Sequence, residues 1–295
     1  MNYFPQVNGN GVVTQLPYKS SLAYNNIYQE MPFGRSYSFA QRGSGLNNFP
    51  MTPLGNFGVN YIAITDAEVA ALSAFFDSMK GRLNQFCFLD PDGNLVNNSE
   101  SFTATSWTSQ NTGVTVTTNG GLADPLGGTR ASLLTATSSN SNYAPIVIPG
   151  GGLPANFVLC GSVYCMAQSA GQSLALGFVD SGFNVLGSAT WSLQQNQWTR
   201  IYYAMQINSA SYIRLLIGGF STWNMTGIRV FGPQCVASMG PGNYSKSPDN
   251  YGYHPTCRFD TDTFAFTKIG PNQNSVVLPV AEYFTGTDTN TSEAF

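Results

Sequence analysis

The chain has 295 residues, a formal net charge of -3 and a charged fraction of 9%, whereas about 25% is usual in globular proteins. So small a net charge gives no long-range attraction to nucleic acid or to an anionic membrane. The sequence has no apolar run near the ~18 residues that cross a bilayer, and its start, MNYFPQVNGNG, lacks the basic and apolar regions of a signal peptide. We therefore expect neither a membrane span nor export by a signal peptide.

The first clear element is a helix in the stretch ITDAEVAALSAFFDSMKGRL. Thr65 is placed to cap this helix with Glu68 as its capping-box partner, and Gly81 provides a stop signal. The apolar residues follow the i, i+3, i+4, i+7 spacing of one helical face, namely Leu72, Phe75, Phe76 and Met79. The flanking segments NYIAIT and QFCFL read as strands, so we expect the helix to pack on a sheet.

The hydrophobic pattern of the sequence changes after Asn97. From Ser99 to about Pro255 no helical period is visible, and short alternating segments separated by turns predict an antiparallel β-sandwich. Each predicted strand has one apolar face, formed by Leu174, Leu176 and Phe178; by Ile201, Tyr203, Met205 and Ile207; by Ile213, Leu215 and Ile217; or by Ile228 and Val230. Two more apolar strands follow, in CRFDTDTFAFTKIG and NSVVLPVAEYF, and we expect them to pair with the first third of the chain.

Five cysteines and one histidine limit the metal and redox chemistry of the chain. An odd number of cysteines cannot all pair, and Cys160 and Cys165 would lie on opposite faces of a strand, so we expect buried free thiols. No cysteine pair has zinc-ligand spacing. The stretch YGYHPT predicts that His254 lies in a loop, and we expect no metal site and no cofactor.

The segment Asp90-Pro91-Asp92-Gly93-Asn94 could be a metal-binding loop, a catalytic pair of carboxylates or a simple turn. Its beginning is similar to a calcium loop, but the twelfth position is Ser101 instead of an acidic ligand. Pro, Asp, Gly and Asn all favour turns for conformational reasons, so a turn is the preferred interpretation. No carboxylate carries a glycosidase motif, including Asp124, Asp180 and Glu282, and we predict no catalytic residue.

The ends of the chain resemble phage distal tail proteins, which form a ring at the tip of the tail. In that family an FF helix and a G-x-x-x-x-F-x-F strand precede a D-P turn, and LSAFFDSMKGRLNQFCFLDPDGN has this order. The stretch CRFDTDTFAFTKIGPNQNSVVLPVAEY is similar to the closing strands of the family, with an Arg-Phe-Asp start and a Pro-x-x-Glu end. The resemblance implies a discontinuous ring domain, residues 1–96 plus 257–295, with one helix on a β-sheet or barrel.

The middle block, residues 97–256, resembles the jelly-roll, carbohydrate-binding-module-like domains that tail and fibre proteins carry. The segments responsible are ADPLGGTRASLLTAT, QWTRIYYAM and RVFGPQCVASMG. The resemblance implies an inserted antiparallel β-sandwich, with DPDGN as the seam where the host domain opens. The expected fold class is therefore mainly β, with an α+β host domain and an inserted jelly roll.

Aromatic side chains are the candidate ligand contacts, because sugars stack their apolar faces on exposed rings. Trp198 lies within a predicted strand and is expected in the core. The candidates for glycan contact lie in the sandwich block, near strand ends or among polar residues, and are Trp107, Tyr143, Trp191 and Trp223. The alternative that these rings only cap the sandwich stays open.

Three functional hypotheses follow. In the first, implied by the resemblance, the chain is a non-enzymatic distal-tail or baseplate-hub component of a virion. It would assemble in the host cytoplasm, form a ring at the tail tip, most simply a hexamer, contact tail-tube and hub or fibre proteins, and use the sandwich for adhesion to host-surface glycan. In the second it is a carbohydrate-binding adhesin, a tail fibre or receptor-binding protein. The third, a polysaccharide-cleaving enzyme, lacks a catalytic constellation. No aromatic-basic stripe indicates sequence-specific nucleic-acid binding.

Overall fold

The structure is a computed structural model that describes residues 4–5, 10–15, 53–90, 93–102, 107–109, 114–117, 122–136, 142–145, 157–207, 213–218, 225–247 and 252–283. Of residues 10–15, 53–63, 107–109, 114–116, 136, 142–145, 225–226 and 283 it describes the backbone. The described residues form one helix, α1 (Asp66–Met79). The strands are β1 (Asn10–Gln15), β2 (Pro53–Ile64), β3 (Phe86–Leu89), β4 (Trp107–Ser109), β5 (Val114–Thr117), β6 (Ser132–Ala136), β7 (Asn142–Pro145), β8 (Phe157–Ala167), β9 (Ser173–Asp180), β10 (Val185–Ser192), β11 (Thr199–Ile207), β12 (Ile213–Gly218), β13 (Met225–Val236), β14 (Tyr253–Phe259), β15 (Phe266–Gly270) and β16 (Gln273–Tyr283).

The chain forms two compact units. Unit 1 comprises Met1–Phe88 and His254–Phe295, and unit 2 comprises Leu89–Tyr253. These divisions lie near the seams predicted after Val96 and Thr256, and the identity of unit 1 as a ring domain stays a prediction. The predicted fold class is confirmed, since the described part of the chain is mostly strand, has one helix and pairs its named strands antiparallel.

Unit 1 is built on a sheet of order β1-β2-β16-β14-β3, with β15 also paired to β16. Strand β16 lies in the middle of this sheet. It pairs with β2 from Asn274↔Ile64 to Tyr283↔Pro53, and with β14 from Glu282↔Cys257 to Val280↔Phe259. The apolar strands near the end of the chain therefore pair with strands of its first part, as expected.

Helix α1 has the predicted caps and the predicted apolar face. The Thr65 hydroxyl accepts a hydrogen bond from the Glu68 amide at 3.2 Å, and the Glu68 carboxylate accepts one from the Thr65 amide at 2.8 Å. Lys80 and Gly81 both take left-handed φ values, 55° and 58°, which end the helix. The buried side chains of the helix are Val69, Leu72, Phe76 and Met79.

Phenylalanine rings from both ends of the chain complete the core of unit 1. The Phe259 ring lies 4.8 Å from that of Phe76 on α1 and 4.8 Å from that of Phe86 on β3. Phe4 packs edge-on against Phe88 at 5.6 Å, and its amide donates to the Cys87 carbonyl at 2.8 Å. Each buried ring contributes about 1.5–3 kcal/mol relative to exposure, so this cluster holds the separated sequence segments in one core.

Unit 2 is a sandwich of two five-stranded sheets. The first sheet has the order β10-β9-β12-β7-β4, and the second has the order β11-β8-β13-β6-β5. The predicted inward residues of β9, β12 and β13 are buried, and Tyr203 and Met205 on the edge strand β11 are half-buried. At Gly161 on β8 an added Cβ would collide with Leu215 Cδ1 of the first sheet, so the missing side chain of Gly161 leaves room for Leu215 between the sheets.

One buried amide ties the segment by which the chain enters the sandwich to the segment by which it leaves. We call residues 93–99 the incoming segment and residues 238–247 the outgoing segment. Asn94 is fully buried, and its Nδ2 donates to the carbonyls of Pro233 at 3.1 Å and Ser245 at 2.9 Å. Its Oδ1 accepts from the amides of Val96 at 2.9 Å and Cys235 at 3.1 Å. The side chain thus joins the incoming segment, β13 and the outgoing segment.

Further hydrogen bonds continue this seam on both sides of Asn94. The amide of Ser99 donates to Ser247 Oγ at 3.1 Å, and the amide of Ser247 donates to Ser99 Oγ at 3.0 Å. Closer to the ends of unit 2, the amide of Asp90 donates to the Gly252 carbonyl at 2.9 Å. The first and last residues of unit 2 therefore lie side by side, which keeps the entropy of closing the host chain small.

A buried carboxyl lies on the loop after β14 in unit 1. Asp260 is 11% exposed, Arg82 Nη2 approaches its Oδ1 only to 3.8 Å, and Asp262 Oδ2 lies 3.7 Å from Arg82 Nε. Burial raises the pKa of Asp260 to about 7, the Asp262 charge adds to this shift, and Arg82 opposes it. Charging Asp260 therefore weakens unit 1.

Replacing Asn94 by Ala should destabilise unit 2 by about 3 kcal/mol, because two amides and two carbonyls lose their partner in a buried site. Urea denaturation of the purified chain measures this change. Asn243→Ala is the matched control, since Asn243 is exposed in the outgoing segment. Equal midpoints for wild type and Asn94→Ala would contradict the assigned role.

Unit 1 should lose stability as the pH rises from about 4 to 8. The native pKa of Asp260 is raised above its ordinary value of 3.8, so the native state binds the extra proton in this window and the stabilisation disappears above the native pKa. Asp260→Asn should flatten this dependence and stabilise the unit at pH 8 by on the order of 2 kcal/mol. Thermal melting across pH tests it, with Asp262→Asn as the control. An unchanged pH profile in Asp260→Asn would refute the assignment.

Candidate functional site

The described residues of the turn Asp90–Asn94 form backbone hydrogen bonds and close backbone contacts. Asp90 is buried, and its carbonyl accepts a hydrogen bond from the Gly93 amide at 3.2 Å. Gly252 packs against Gly93 and the Asp90 carbonyl. Pro91 and Asp92 lie outside the described residues. Among the residues that are described, no group of three or more His, Cys, Asp or Glu side chains is arranged to hold a metal ion.

An ion-pair network fixes the segment DPLGGTR in front of β6. Asp124 Oδ1 accepts from the amides of Leu126 at 2.9 Å and Gly128 at 3.0 Å, and its Oδ2 accepts from Arg130 Nε at 3.1 Å. Burial raises the pKa of Asp124, but the backbone hydrogen bonds outweigh it and the pKa lies below its usual value. Arg130 also bonds Glu100 at 2.7 Å. Asp124 is therefore committed to this loop.

Part of the outward face of the second sheet is covered by the outgoing segment. Arg200 on β11 donates through Nη1 to the Gly242 carbonyl at 2.6 Å, and through Nη2 to Gln234 Oε1 at 2.9 Å. Gln234 Nε2 in turn donates to the Asn243 carbonyl at 3.0 Å. Ser162, beside them on β8, is fully buried. This part of the second sheet is therefore closed to a ligand.

On the first sheet, the hairpin between β9 and β10 folds an aromatic ring against the outward face. Phe183 packs on Val179 and Leu216, two buried residues whose side chains point away from the second sheet. The Arg214 guanidinium lies 4.4 Å above the centroid of the Phe183 ring. Arg214 and Val179 are register partners, so ring, cation and apolar residues form one cluster on this face.

The carboxylate of Asp180 shapes this hairpin. Its Oδ1 accepts from the amides of Gly182 at 2.8 Å and Asn184 at 2.9 Å, and its Oδ2 accepts from Asn184 Nδ2 at 2.9 Å. The hydrogen bonds from Asn184 and Gly182 lower the pKa of Asp180, so the group stays ionised at neutral pH. Asp180 is thus a turn residue.

The four aromatic residues predicted to contact glycan are placed as follows. Trp191 on β10 is half-buried and is the register partner of Leu174, so it lies on the inward face at the edge of the first sheet. Trp107 on β4 pairs with Pro145 at the opposite edge, and Tyr143 on β7 pairs with the buried Ile217. Trp223 lies outside the described residues. The structure does not bring Trp191 together with Trp107, because β10 and β4 are the two edges of the sheet.

Phe183 and Arg214 are the residues that the sequence analysis missed. The signal available was the turn DSGFN, in which an aromatic residue stands among turn formers, and the polar residue within the apolar run of β12. Trp198, predicted in the core, is half-buried and directly precedes β11.

The histidine and the five cysteines of the chain lie in strands or in the core. The loop prediction for His254 is wrong, because the residue lies in β14, where its Nδ1 is 2.8 Å from Glu282 Oε2 and its ring stacks on Phe88. All five cysteines are free and buried, as expected. Burial raises the pKa of Cys160 to about 11 and that of Cys165 to about 12. These thiols are poor nucleophiles.

Within the described part of the chain, no helix has the length and apolar character needed to cross a bilayer. No protein-family model matches this chain, and no curated protein matches it.

Solved structures do match, over about half of the chain. The enzymatically active domain of tailspike protein 4 from bacteriophage CBA120 is 18% identical with a TM-score of 0.37, over 49% of this chain and 21% of that chain. The C-terminal family 22 carbohydrate-binding module of Clostridium thermocellum Xyn10B is 17% identical with a TM-score of 0.38, over 52% of this chain and 98% of the module. The xylan-binding CBM22-1 domain of Paenibacillus barcinonensis Xyn10C is 16% identical with a TM-score of 0.38, over 51% of this chain and 99% of that domain. This chain spans about a fifth of the tailspike chain, and similarities this weak carry no argument about what it binds.

Proposed function

We propose that this protein is an adhesin-like component of a phage tail whose sandwich, unit 2, binds carbohydrate on the host surface. The observation that carries the proposal is the seam at Asn94. At this seam a complete sandwich, with its own core, is inserted between two parts of the chain that together form one sheet. Inserting a separate β-sandwich in this way suits a module that presents a binding surface.

Two features of unit 2 support carbohydrate as the ligand. The segments ADPLGGTRASLLTAT, QWTRIYYAM and RVFGPQCVASMG resemble carbohydrate-binding-module-like jelly rolls. In addition, charged residues are few in the chain, and within the sandwich Arg130 and Arg200 are held in hydrogen-bond networks. A surface of hydroxyls, amides and aromatic rings suits a neutral, hydroxyl-rich ligand better than a nucleic acid.

Adhesion needs no bond to be made or broken. Exposed aromatic rings would stack on sugars while side-chain hydroxyls and amides bind their hydroxyl groups. The carboxylates weighed as catalytic groups have fixed partners: Asp124 bonds Arg130, Asp180 bonds Asn184, and Glu282 bonds His254. We therefore propose a binding protein with no enzymatic activity.

A second candidate function is the ring at the tail tip, most simply a hexamer, in contact with tail-tube and hub or fibre proteins. The resemblance of the chain ends to distal tail proteins implies it. In unit 1, Ile269 on β15 and Val277 on β16 are 50% and 59% exposed, and alternation puts Val277 on the face of β16 opposite the buried Val276 and Leu278. Exposed apolar side chains on paired strands favour contact with another subunit.

Excision separates the two roles. Residues 91–251 are replaced by a short Gly/Ser linker, which suffices because the Asp90 amide and the Gly252 carbonyl are 2.9 Å apart. The shortened chain should melt cooperatively and keep the oligomeric state of the full chain, but should no longer sediment with host cell-wall polysaccharide. Retained sedimentation would assign adhesion to unit 1, and loss of cooperative melting would show that the units share a core.

Native mass spectrometry tests the ring. The full chain should form a closed oligomer, and Ile269→Glu with Val277→Glu should shift it to monomer by placing charge at an apolar contact. Leu83→Glu is the matched control, since Leu83 is 61% exposed in the same unit but lies outside the β15–β16 hairpin. A monomeric wild type, or equal dissociation in the control, would exclude this contact.

A further inference from the structure

We propose that a neutral polysaccharide binds on the outward face of the second sheet, in the part that the outgoing segment leaves uncovered, with a guanidinium as the central donor. This inference rests on the proposed carbohydrate function and assigns its site. The residues of the site, which we call the Arg229 row, are Met166, Arg229, Leu133, Thr117 and Gln168. None of them is among the aromatic residues selected from the sequence.

The register of four neighbouring strands lines up this row. Arg229 on β13 pairs with Met166 on β8 and with Leu133 on β6. Leu133 in turn pairs with Thr117 on β5. Register partners share a face of the sheet, and the residues on either side of Arg229 along β13 are fully buried in the core. The four side chains therefore point outward, in a line that crosses the sheet.

The guanidinium of Arg229 is left over by the fold. The other arginines of unit 2 have partners: Arg130 forms an ion pair, Arg200 donates to the outgoing segment, and Arg214 lies over an aromatic ring. Among the residues that the structure describes, none accepts a hydrogen bond from the half-buried Arg229, and its Nε is buried. A partly buried cationic donor without an acceptor costs free energy, and the acceptor oxygens of a ligand would recover it.

A glycine brings a second polar group to the row. At Gly227, where φ is 147°, an added Cβ would collide with Gln168 Oε1 and would lie 3.5 Å from Leu133 Cδ1. The missing side chain thus leaves room for the carboxamide of Gln168 beside Leu133. The backbone of Gln168 is fixed, because its N–H donates to the Gly227 carbonyl and its carbonyl accepts from Gln195 Nε2, both at 3.1 Å. The carboxamide is therefore presented to the outward face by a fixed backbone.

The chemistry of the row fits a sugar. Met166, which is 8% exposed, and the half-buried Leu133 form an apolar floor. Arg229, Gln168 and the exposed Thr117 surround this floor with N–H and O–H groups. A sugar offers an apolar face to such a floor and hydroxyl oxygens to such donors. The donors, and not an aromatic ring, carry the recognition.

The charge of Arg229 bears on which sugar is bound. A guanidinium donates two parallel hydrogen bonds to two neighbouring oxygens, which the adjacent hydroxyls of a neutral sugar or the carboxylate of an acidic sugar can supply. An acidic polysaccharide repeats its carboxylate along the chain, whereas the row holds a single cation and the whole protein has a net charge of -3. The row therefore matches a neutral polysaccharide, with adjacent hydroxyls on Arg229.

Affinity electrophoresis of the full chain in native gels tests the site, with glucan, mannan, galactan or xylan as neutral polysaccharides and polygalacturonate as the acidic one. Each mobility is compared with that in a gel without polysaccharide. Arg229→Met removes the guanidinium and keeps an unbranched apolar stem. Thr117→Trp places bulk at the exposed end of the row. Lys246→Met is the matched control, because it removes one positive charge from the outgoing segment of the same sandwich.

We expect a neutral polysaccharide to retard the wild type and Lys246→Met equally. Arg229→Met and Thr117→Trp should each weaken binding about tenfold or more at unchanged melting temperature. Wild-type affinity in both row variants, or equal weakening in the control, would overturn the site but leave carbohydrate binding intact. Retardation by polygalacturonate alone would overturn the neutral class. A wild type that no polysaccharide retards would overturn the carbohydrate function itself.

Discussion

The buried side chain of Asn94 is the constraint on which the organisation of this chain depends. Four hydrogen bonds from one amide connect the incoming segment, β13 and the outgoing segment. Because a buried amide with four partners has no equally good alternative, the two ends of the sandwich are held together. The chain can therefore leave the sheet of unit 1 after β3 and resume it at β14 with little entropic cost.

The seam also determines which surfaces of the sandwich are available. The outgoing segment that bonds Asn94 also accepts hydrogen bonds from Arg200 and Gln234, at Gly242 and Asn243, and so it covers part of the second sheet. The first sheet carries instead a strained hairpin with an aromatic ring. Among the charged side chains of the sandwich, Arg200 is held by the outgoing segment, whereas Arg214 lies over the Phe183 ring on the first sheet.

The sequence predicts elements whose signal is local or periodic. The capping box of Thr65 and Glu68, the apolar face of α1 and the inward residues of β9, β12 and β13 all follow from spacing. The position of His254 does not follow from spacing. Its stretch is rich in Tyr, Pro and Gly and so indicates a loop, whereas the strand forms by pairing with β16, on which Glu282 contacts the histidine. The Phe183 cluster depends equally on long-range pairing: Arg214 reaches the ring only because β12 lies next to β9. The sequence places the predicted glycan contacts near strand ends or among polar residues, but the face that Trp191 occupies depends on its register with Leu174.

Carbohydrate binding by the sandwich is the central claim, and a glycan microarray probed with the fluorescently labelled full chain tests it most directly. The account predicts saturable signal on neutral, hydroxyl-rich glycans, weak dependence on salt, and competition by the same glycan in solution, because contacts to rings and hydroxyls are little screened. Absence of signal on every glycan, from a chain that melts cooperatively, would contradict it. A signal confined to acidic glycans and abolished by salt would show a charge-driven interaction that this account does not contain.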